Sequence, residues 1–191
     1  KEEYEFLYDN RTSKIQSILK KLVKQIKNPV GYNYKIYLVK DETQNAYTTG
    51  GGYIYFFEGM YDYLNSDDEF AAIIGHEINH NELGHIKDHL RVKKTNKTFF
   101  GEFGDIVTNV QSILTLSFNQ RKETECDLHG IDLCANAGYK MCATSIIWKR
   151  MKEEENEFNT LGNLFRTHPY SEKRENCAKN HLKNNYSVNC N

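Results

Sequence analysis

The sequence has little of several features that mark particular classes of protein. Only 2 of its 191 residues are proline, which excludes a polyproline or linker-rich protein. No apolar run approaches the roughly 18 residues needed to span a bilayer. The 25 Lys and Arg nearly balance the 26 Asp and Glu, so there is no cation excess for binding nucleic acid. Aromatic residues make up 13%, too many for a disordered chain. Composition therefore predicts a soluble globular protein, and the length predicts a single domain over residues 1–191.

Cysteine is sparse and late in the chain. No CxxC pair occurs, which excludes zinc-ribbon and thioredoxin-type sites. Two interpretations stay open: thiols in a reducing compartment, or two disulfides and one free thiol in an oxidising one. The second is favoured, because the irregular end of the chain would gain from covalent links. The chain starts at Lys1 without an apolar segment, so a signal peptide or anchor is expected to lie outside it.

Hydrophobic spacing predicts a mainly helical α+β fold with a small sheet inserted early. A capping box at Ser66–Glu69 opens a helix that can run to about Val92. Strands are predicted at Tyr34–Lys40 and Tyr53–Phe57 from their aromatic and β-branched residues. The other predicted helices cover about 12–26, Ile106–Phe118, Arg121–Ala137, Met141–Glu157 and Ser171–Lys183.

The capped helix contains the motif HExxH, formed by His76, Glu77 and His80. Residues four apart lie on one face of a helix, so the two imidazoles can converge on one zinc ion. Glu77 projects about 100° away from His76 and can reach a water beside the metal, as a general base does. A surface helix with scattered His and Glu is the alternative. The apolar neighbours Ile74 and Ile78 count against it, because buried His and Glu need partners.

A catalytic zinc site needs a third protein ligand. The metzincin pattern is excluded, because Leu83 and Ile86 stand where it has Gly and His. A Glu from a second helix is the other solution, and Glu123 offers one, with Asp127 on the same face to hydrogen-bond a ligand ring. Without the HExxH motif, these acids would be read as an ordinary charged helix face. Cys126 lies on this helix and is therefore expected to be the unpaired cysteine.

Together these motifs resemble the HtpX and CAAX-prenyl-protease type of gluzincin metallopeptidase. The match runs in order along most of the chain. Its segments are Asn45–Tyr47 with Gly51–Tyr55 (family NAF…GGYIxV), Asp68–His80 (DELAAVLGHEIAH), Glu123–Gly130 with Ala135–Tyr139 (ExEADRxG…ARAGY), and Thr167–Pro169 with Arg174 (THPxxxxR).

The resemblance implies a zincin-like fold with the small sheet packed on the HExxH helix. It implies one zinc ion held by His76, His80 and Glu123, with Glu77 as the base. Cys126 and Leu128 depart from the family's usual Ala and Arg, and Thr49-Gly50 stands where a Pro is common. These departures leave the ligands intact. Because the membrane segments of integral members are missing, the chain resembles the soluble or peripherally attached, often periplasmic, members.

Two further assignments follow from the resemblance and from what proteolysis requires. His168 lies in a segment that is near the metal in the family, so it either stabilises the oxyanion or blocks the open metal position; a structural loop His is equally favoured. Tyr170 and Arg174 are weaker candidates for the same role, and His85 is expected to be structural. The residues Gly51, Gly52, Tyr53, Ile54 and Tyr55 are expected to form a substrate-binding edge strand, with core burial as the alternative. Helix Ile106–Phe118 is interpreted as core packing in preference to a flap or a membrane contact.

The sequence therefore predicts a zinc-dependent endopeptidase that cleaves unfolded or extended polypeptides, outside the cytoplasm, with peripheral membrane association left open. No nucleic-acid partner is expected. The alternative from another class is a zinc-bearing chaperone or assembly factor with a closed protease site. A purely structural zinc site is disfavoured, because it has no use for Glu77.

Overall fold

The computed structural model describes residues 4–89, 91, 118–158, 167–169 and 172–190. This part of the chain forms a mainly helical α+β fold with one small sheet, as the sequence predicts. In chain order its elements are β1 (Phe6–Leu7), α1 (Asn10–Val23), β2 (Lys35–Val39), β3 (Ala46–Thr49), β4 (Tyr53–Phe57), α2 (Glu58–Tyr63), α3 (Asp67–Glu82), α4 (Gln120–Asn136), α5 (Ala143–Phe158) and α6 (Glu172–Tyr186).

The four strands pair in the order β1-β2-β4-β3. β2 and β4 run parallel, and β1 and β3 pair with them antiparallel. The predictions for β2 and β4 are confirmed, whereas β1 and β3 were not predicted, because such short segments show too little alternation. Side chains alternate along each strand, so one face of the sheet meets the helices while the other carries stacked aromatic rings, among them Tyr37, Tyr47 and Tyr55.

The expectation that Gly51–Tyr55 forms an edge strand is wrong. β4 is paired on both sides, by β2 and by β3, so its main-chain groups are already used. Gly51 and Gly52 have positive φ and form the turn between β3 and β4. Among the described residues, the edge on this side of the sheet is β3, which also contacts α3.

Helix α3 begins where the capping box predicts. The Ser66 side chain accepts from the Glu69 backbone N–H at 3.3 Å, and the Glu69 carboxylate accepts from the Asn65 N–H at 3.0 Å. The helix ends at Glu82, so the predicted extension to Val92 is wrong. Gly84 has φ +74°, a left-handed conformation that stops an α-helix, and a separate helical segment follows at 85–89.

Helices α3 and α4 pack closely because two glycines face each other. A Cβ on Gly75 would lie 3.4 Å from the Gly130 carbonyl oxygen, and one on Gly130 would lie 3.3 Å from the His76 nitrogen. Larger side chains at either position would push the helices apart. This contact brings α4, which carries Glu123, against the HExxH helix.

A continuous hydrophobic core joins the sheet to the helices. Leu38 and Phe56 from the sheet, Leu22 from α1, Ile78 from α3 and Met151 from α5 are all fully buried within it. α3 is therefore surrounded by apolar side chains on one side, while its histidines face α4 on the other. Burial on both sides fixes the orientation of the helix that carries the motif.

The cysteine expectation is half right. Cys142 and Cys190 form a disulfide that ties the chain end to the start of α5, and Cys126 is free, as predicted. The second predicted bridge is wrong, because Cys134 and Cys177 are also free. Cys134 is buried against Gly75 in the α3–α4 interface, where a hydrophobic thiol fills space.

Within the described residues, none of the helices combines the length and the apolar character needed to cross a membrane. The predicted helix Ile106–Phe118 lies outside the described residues except for Phe118, and Tyr170 also lies outside them.

Candidate metal centre

The HExxH residues lie on the buried face of α3 that meets α4. His80 is fully buried, and Glu77 and His76 are nearly so. The Nε2 atoms of His76 and His80 are 3.1 Å apart, so the two rings converge as one turn of helix predicts.

Glu123 comes from the first turn of α4 and completes the convergence. Its Oε2 lies 3.3 Å from His76 Nε2 and its Oε1 lies 3.4 Å from His80 Nε2. The carboxylate is fully buried. The third ligand predicted from the ExxxD spacing is thus next to the two histidines.

Asp127, one turn further along α4, holds the other side of His76. His76 Nδ1–H donates to Asp127 Oδ1 at 3.0 Å, so in the neutral ring the Nε2 lone pair points toward Glu123 and His80. The structure places Asp127 where the sequence predicts an orienting acid.

Arg174 has a role that sequence reasoning missed. Its guanidinium donates to both oxygens of Asp127 at 2.8 Å and lies 3.2 Å from Glu123 Oε2. It also donates to the Pro169 carbonyl and stacks over Trp148, and only 1% of it is exposed. The THPxxxxR spacing gave its position, but a contact between α6 and α4 has no signal in one sequence. Arg174 therefore balances buried carboxylates and anchors Asp127, in place of the oxyanion role considered from sequence.

His168 lies inside the cluster. Its Nδ1 is 3.1 Å from Glu123 Oε2 and 3.3 Å from His76 Nε2, while its Nε2 is 3.4 Å from Glu77 Oε1. The ring sits between the predicted base and the predicted ligands and is 4% exposed. The geometry favours a role for His168 in the site over the alternative of a structural loop histidine.

These four side chains fit a zinc ion. One donor atom from each of His76, His80, Glu123 and His168 lies within 4.8 Å of the others. The Nε2 atoms of His76 and His80 face each other at 3.1 Å, where a metal ion can replace the proton that would otherwise bridge them. The buried Glu123 Oε1 has no hydrogen-bond partner among the described residues. Three nitrogens and one carboxylate are the donors that tetrahedral zinc takes.

Electrostatics at the ligand residues favour cation binding. Burial raises the pKa of Glu123, but the charge of His168 and the nearby imidazoles of His168, His76 and His80 bring it well below its usual range, so the carboxylate is ionised. Burial lowers the pKa of His76, but hydrogen bonds to Asp127 and Glu123 outweigh this and raise it to about 10. Burial dominates at His80 and lowers its pKa to about 3. Protons and a metal therefore compete for the same lone pairs.

The pKa of Glu77 is shifted in the opposite direction from that of the predicted ligand Glu123. Burial raises the Glu77 pKa, and the Glu77 Oε2 has no hydrogen-bond partner in the described part of the chain. A backbone hydrogen bond from Thr48 acts in the opposite direction. A carboxyl group with a raised pKa and a free oxygen is suited to take up a proton and hold it.

The strand beside the site is β3 instead of β4. Thr48 of β3 touches Glu77 through its backbone, and its hydroxyl accepts from the Asn81 side chain and donates to the Tyr53 carbonyl. Gly51, Gly52, Tyr53, Ile54 and Tyr55 are not among the residues that converge on the cluster; Ile54 is fully buried in the core.

A small cavity of about 20 Å³ lies beside Glu77 and His168. Apart from His76, Glu77, Asp127 and His168, its walls are small or apolar side chains: Ala46, Ala72, Ile73, Thr144, Ile147 and Trp148. It has room for about one water molecule, which needs roughly 10–15 Å³ of such volume.

His85, Phe118 and Cys126 surround the far side of His80. The Phe118 ring stacks on His80 with centroids 4.2 Å apart, and His85 Nδ1 lies 3.3 Å from His80 Nδ1. Cys126 Sγ is 3.4 Å from His85 Nδ1. His85 is buried as a structural residue would be, but its contact is with a predicted ligand.

The fold and the site define the class of protein. An HExxH helix beside a sheet, with a Glu brought from a second helix, is the arrangement of a gluzincin-type zinc metallopeptidase. The model of peptidase family M48 matches residues 9–181, so the chain belongs to this family. Zinc is the metal that the family uses and that the donor set fits.

Three curated relatives are similar to this chain over most of its length but over a smaller share of their own. The mitochondrial metalloendopeptidase OMA1 of Schizosaccharomyces pombe is 24% identical over 87% of this chain and 52% of its own length. The metalloprotease LoiP of Escherichia coli K12 is 29% identical over 74% of this chain and 59% of its own. The beta-barrel assembly-enhancing protease of Escherichia coli O157:H7 is 24% identical over 88% and 38%. The chain thus spans about half the length of the first two relatives.

Proposed function

We propose that this chain is a zinc-dependent endopeptidase in which His76, His80 and Glu123 bind the metal and Glu77 is the general base. One observation carries the proposal. The imidazoles of His76 and His80 and the carboxylate of Glu123 converge on one buried point, and the separate carboxyl of Glu77 lies beside this cluster. We treat residues 1–191 as one metallopeptidase domain, because the family match covers most of them.

Zinc, when bound, polarises the carbonyl of a peptide and makes water nucleophilic near neutral pH. Glu77 takes the proton of the attacking water on its free oxygen and returns it to the leaving amine. Its raised pKa serves both steps, because the proton must stay on the carboxyl between them. Asp127 and Arg174 hold His76 in the tautomer that presents Nε2 to the metal.

His168 is proposed to occupy the fourth metal position in this conformation. Its Nδ1 is part of the donor cluster, and its ring lies where substrate and water would have to enter. Turnover then requires the segment around His168 to move away. The same observation supports the second candidate function, a zinc-bearing chaperone or assembly factor whose protease site stays closed.

Substrates are proposed to be unfolded or extended polypeptides. The edge strand β3 lies beside Glu77, with its four residues buried in this conformation. Once uncovered, it can pair with an extended main chain, which recognises conformation more than side chains.

We place the chain outside the reducing cytosol, because the Cys142–Cys190 disulfide is of the kind that persists in oxidising compartments. Within the M48 family, its relatives named above are OMA1, LoiP and a beta-barrel assembly-enhancing protease. We therefore group it with these enzymes in preference to the HtpX and CAAX-prenyl-protease type that its motifs resemble. Peripheral membrane association and self-association are not needed by the mechanism.

The test is cleavage of an unfolded protein, such as casein, by the wild type and by Glu77→Gln, each loaded with one zinc ion. Glu77→Gln should lose activity by at least about 100-fold, since a positioned acid–base group contributes 10²–10⁴-fold. Glu153→Gln, the same change on the exposed face of α5, is the matched control and should keep full activity. Equal activity of the wild type and Glu77→Gln would refute the mechanism.

His168→Ala separates the two candidate functions. Faster cleavage than the wild type supports a closing ligand on a working protease. If the wild type and His168→Ala both bind zinc but neither cleaves the substrate appreciably, the result supports the chaperone alternative. Slower cleavage than an active wild type would mean that His168 stabilises the oxyanion instead.

A further inference from the structure

The two histidines of the HExxH motif are held in different ways. His76 donates its Nδ1–H to a carboxylate, which Arg174 fixes in turn. His80 has no carboxylate at its Nδ1 among the described residues; the nearest ring nitrogen there is His85 Nδ1, at 3.3 Å. The mechanism above does not use His85, yet this residue is only 3% exposed and lies against the predicted ligand His80.

We propose that His85 is a positioning residue, which fixes the His80 ring by accepting its Nδ1–H, and that Glu125 holds His85 in the required tautomer. The inference rests on the proposed function, because it takes His80 to be a metal ligand through Nε2.

One placement of the protons fits a His80 that binds the metal through Nε2, and it leaves Cys126 Sγ as a second, weaker neighbour of His85 Nδ1 at 3.4 Å. If His80 binds the metal through Nε2, its Nδ1 carries the hydrogen and must donate it. His85 Nδ1 must then be an unprotonated acceptor, so the hydrogen of a neutral His85 lies on Nε2. His85 Nε2 is 3.3 Å from Glu125 Oε2, a carboxylate that accepts that hydrogen. His85 thus supports the His80 ring as Asp127 supports the His76 ring. The difference is that the negative charge lies one residue further from the metal, on Glu125.

The position of the charge gives this arrangement a physical advantage. Glu77, Glu123 and Asp127 already place three carboxylates in the buried site. A further carboxylate against His80 would add an uncompensated buried charge, which is costly. A neutral imidazole transmits the hydrogen bond, and the anion sits at Glu125, whose side chain is 39% exposed and also paired with Arg121.

The same atoms admit one other interpretation. His80, His85 and Cys126 each offer a donor within 4.8 Å and could hold a second metal ion. That would require His80 to bind metals through both ring nitrogens and therefore to lose both ring protons. The positioning role needs only the neutral ring, so it is the simpler assignment, and metal counting separates the two.

The experiment measures zinc affinity by chelator competition on the full chain, with the metal alone as the probe. His85→Leu keeps the size of the side chain but offers no acceptor, and should weaken zinc binding about 10- to 100-fold, the usual effect of losing a partner behind a ligand. His85→Asn offers an amide oxygen to His80 and should recover most of the affinity, to within roughly 5-fold of the wild type.

Two further variants guard against a general loss of folding. His181→Ala removes a histidine that pairs with Asp132 away from the site, and should leave zinc affinity unchanged. Glu125→Ala changes a partly exposed residue and should fold normally, yet weaken zinc binding by about 3-fold through the looser His85. The visible absorption of the cobalt-substituted protein should shift in His85→Leu and return toward the wild type in His85→Asn.

The outcomes divide cleanly. Wild-type zinc affinity in both His85→Leu and Glu125→Ala would overturn the positioning role. Equal weakening in His85→Leu and His85→Asn would overturn it too, because a role in packing or in ligation predicts no rescue by the amide. Two zinc ions per wild-type chain, one of them lost in His85→Leu, would make His85 a ligand instead. A wild type that binds no zinc would refute the proposed function itself, before this inference is reached.

Discussion

Replacing Arg174 by Met tests how the buried charges of the site are held together. Arg174 forms two hydrogen bonds to Asp127 at 2.8 Å and lies 3.2 Å from Glu123, with 1% of its surface exposed. The change removes the buried cation and leaves both carboxylates in place. Methionine keeps much of the aliphatic contact with Trp148, so the loss is mainly electrostatic.

The expected magnitude follows from the burial of this pair. Removing one partner of a buried ion pair costs about 3–5 kcal/mol, because an unpaired charge is left behind. A domain of this size shifts its Tm by about 2–4 °C per kcal/mol, so Arg174→Met should lower the Tm by roughly 6–20 °C. The direction agrees with the pKa of Asp127, which burial raises but Arg174 and His76 lower overall.

A double-mutant cycle identifies the partner. Asp127→Asn removes the charge that Arg174 neutralises, so adding Arg174→Met to it should cost less than in the wild type. We expect the double variant to be more stable than the sum of the single effects predicts, by about 1.5–3 kcal/mol.

The assay is thermal unfolding of all variants, with and without chelator. Arg121→Met is the matched control; its side chain is 87% exposed, and the change should move stability by no more than about 0.5 kcal/mol. Additive effects of the Arg174 and Asp127 changes, or a shift in Arg174→Met no larger than in the control, would refute the ion-pair account.

Three other predictions concern stability away from the metal. Cys142→Ser opens a disulfide that spans 48 residues and should cost about 2–4 kcal/mol in denaturant unfolding under oxidising conditions, with no difference from wild type under reduction. Burial raises the pKa of Glu69, but hydrogen bonds from Arg150 lower it overall, so its contribution is present above its ordinary value of 4.5 and is lost as the pH falls. Glu69→Gln should therefore destabilise by about 1–3 kcal/mol at pH 7 and flatten the decline of stability on acidification; an unchanged pH profile would contradict this. Gly59→Ala places a methyl group against the Glu42 backbone and should cost at least about 2 kcal/mol, measured by urea unfolding.

Local periodicity predicted the parts of the site that lie on one element. The His76–His80 spacing and the capping box are consequences of helix geometry, and the structure has both where the sequence places them. Glu123 was predicted because zinc chemistry demands a third ligand, and its spacing to Asp127 supplied the candidate. These inferences needed no knowledge of how the helices pack.

Contacts between elements distant in sequence could not be predicted in this way. Arg174 reaches Asp127 from α6, and nothing in either helix alone indicates that contact. The short β3 escaped prediction, and the substrate edge was therefore assigned to β4. His85 looked structural because it lies beyond the ligands along the chain, whereas the break at Gly84 lets it return to the ring of His80.

The charges of the site account for its need of a divalent cation. Glu77, Glu123 and Asp127 are buried carboxylates, and Arg174 is the fixed cation that contacts the last two. With all of them ionised, two negative charges remain unbalanced in a region of low dielectric. A zinc ion supplies two positive charges among the imidazole nitrogens; without it, protons on the histidines must do so, which is why His76 holds its proton up to a pKa of about 10. Arg174 thus sets the charge of the cavity so that one divalent ion neutralises it. A second anion-bound arginine would weaken the site, and replacing Arg174 by a neutral residue would leave one negative charge beyond what zinc can balance.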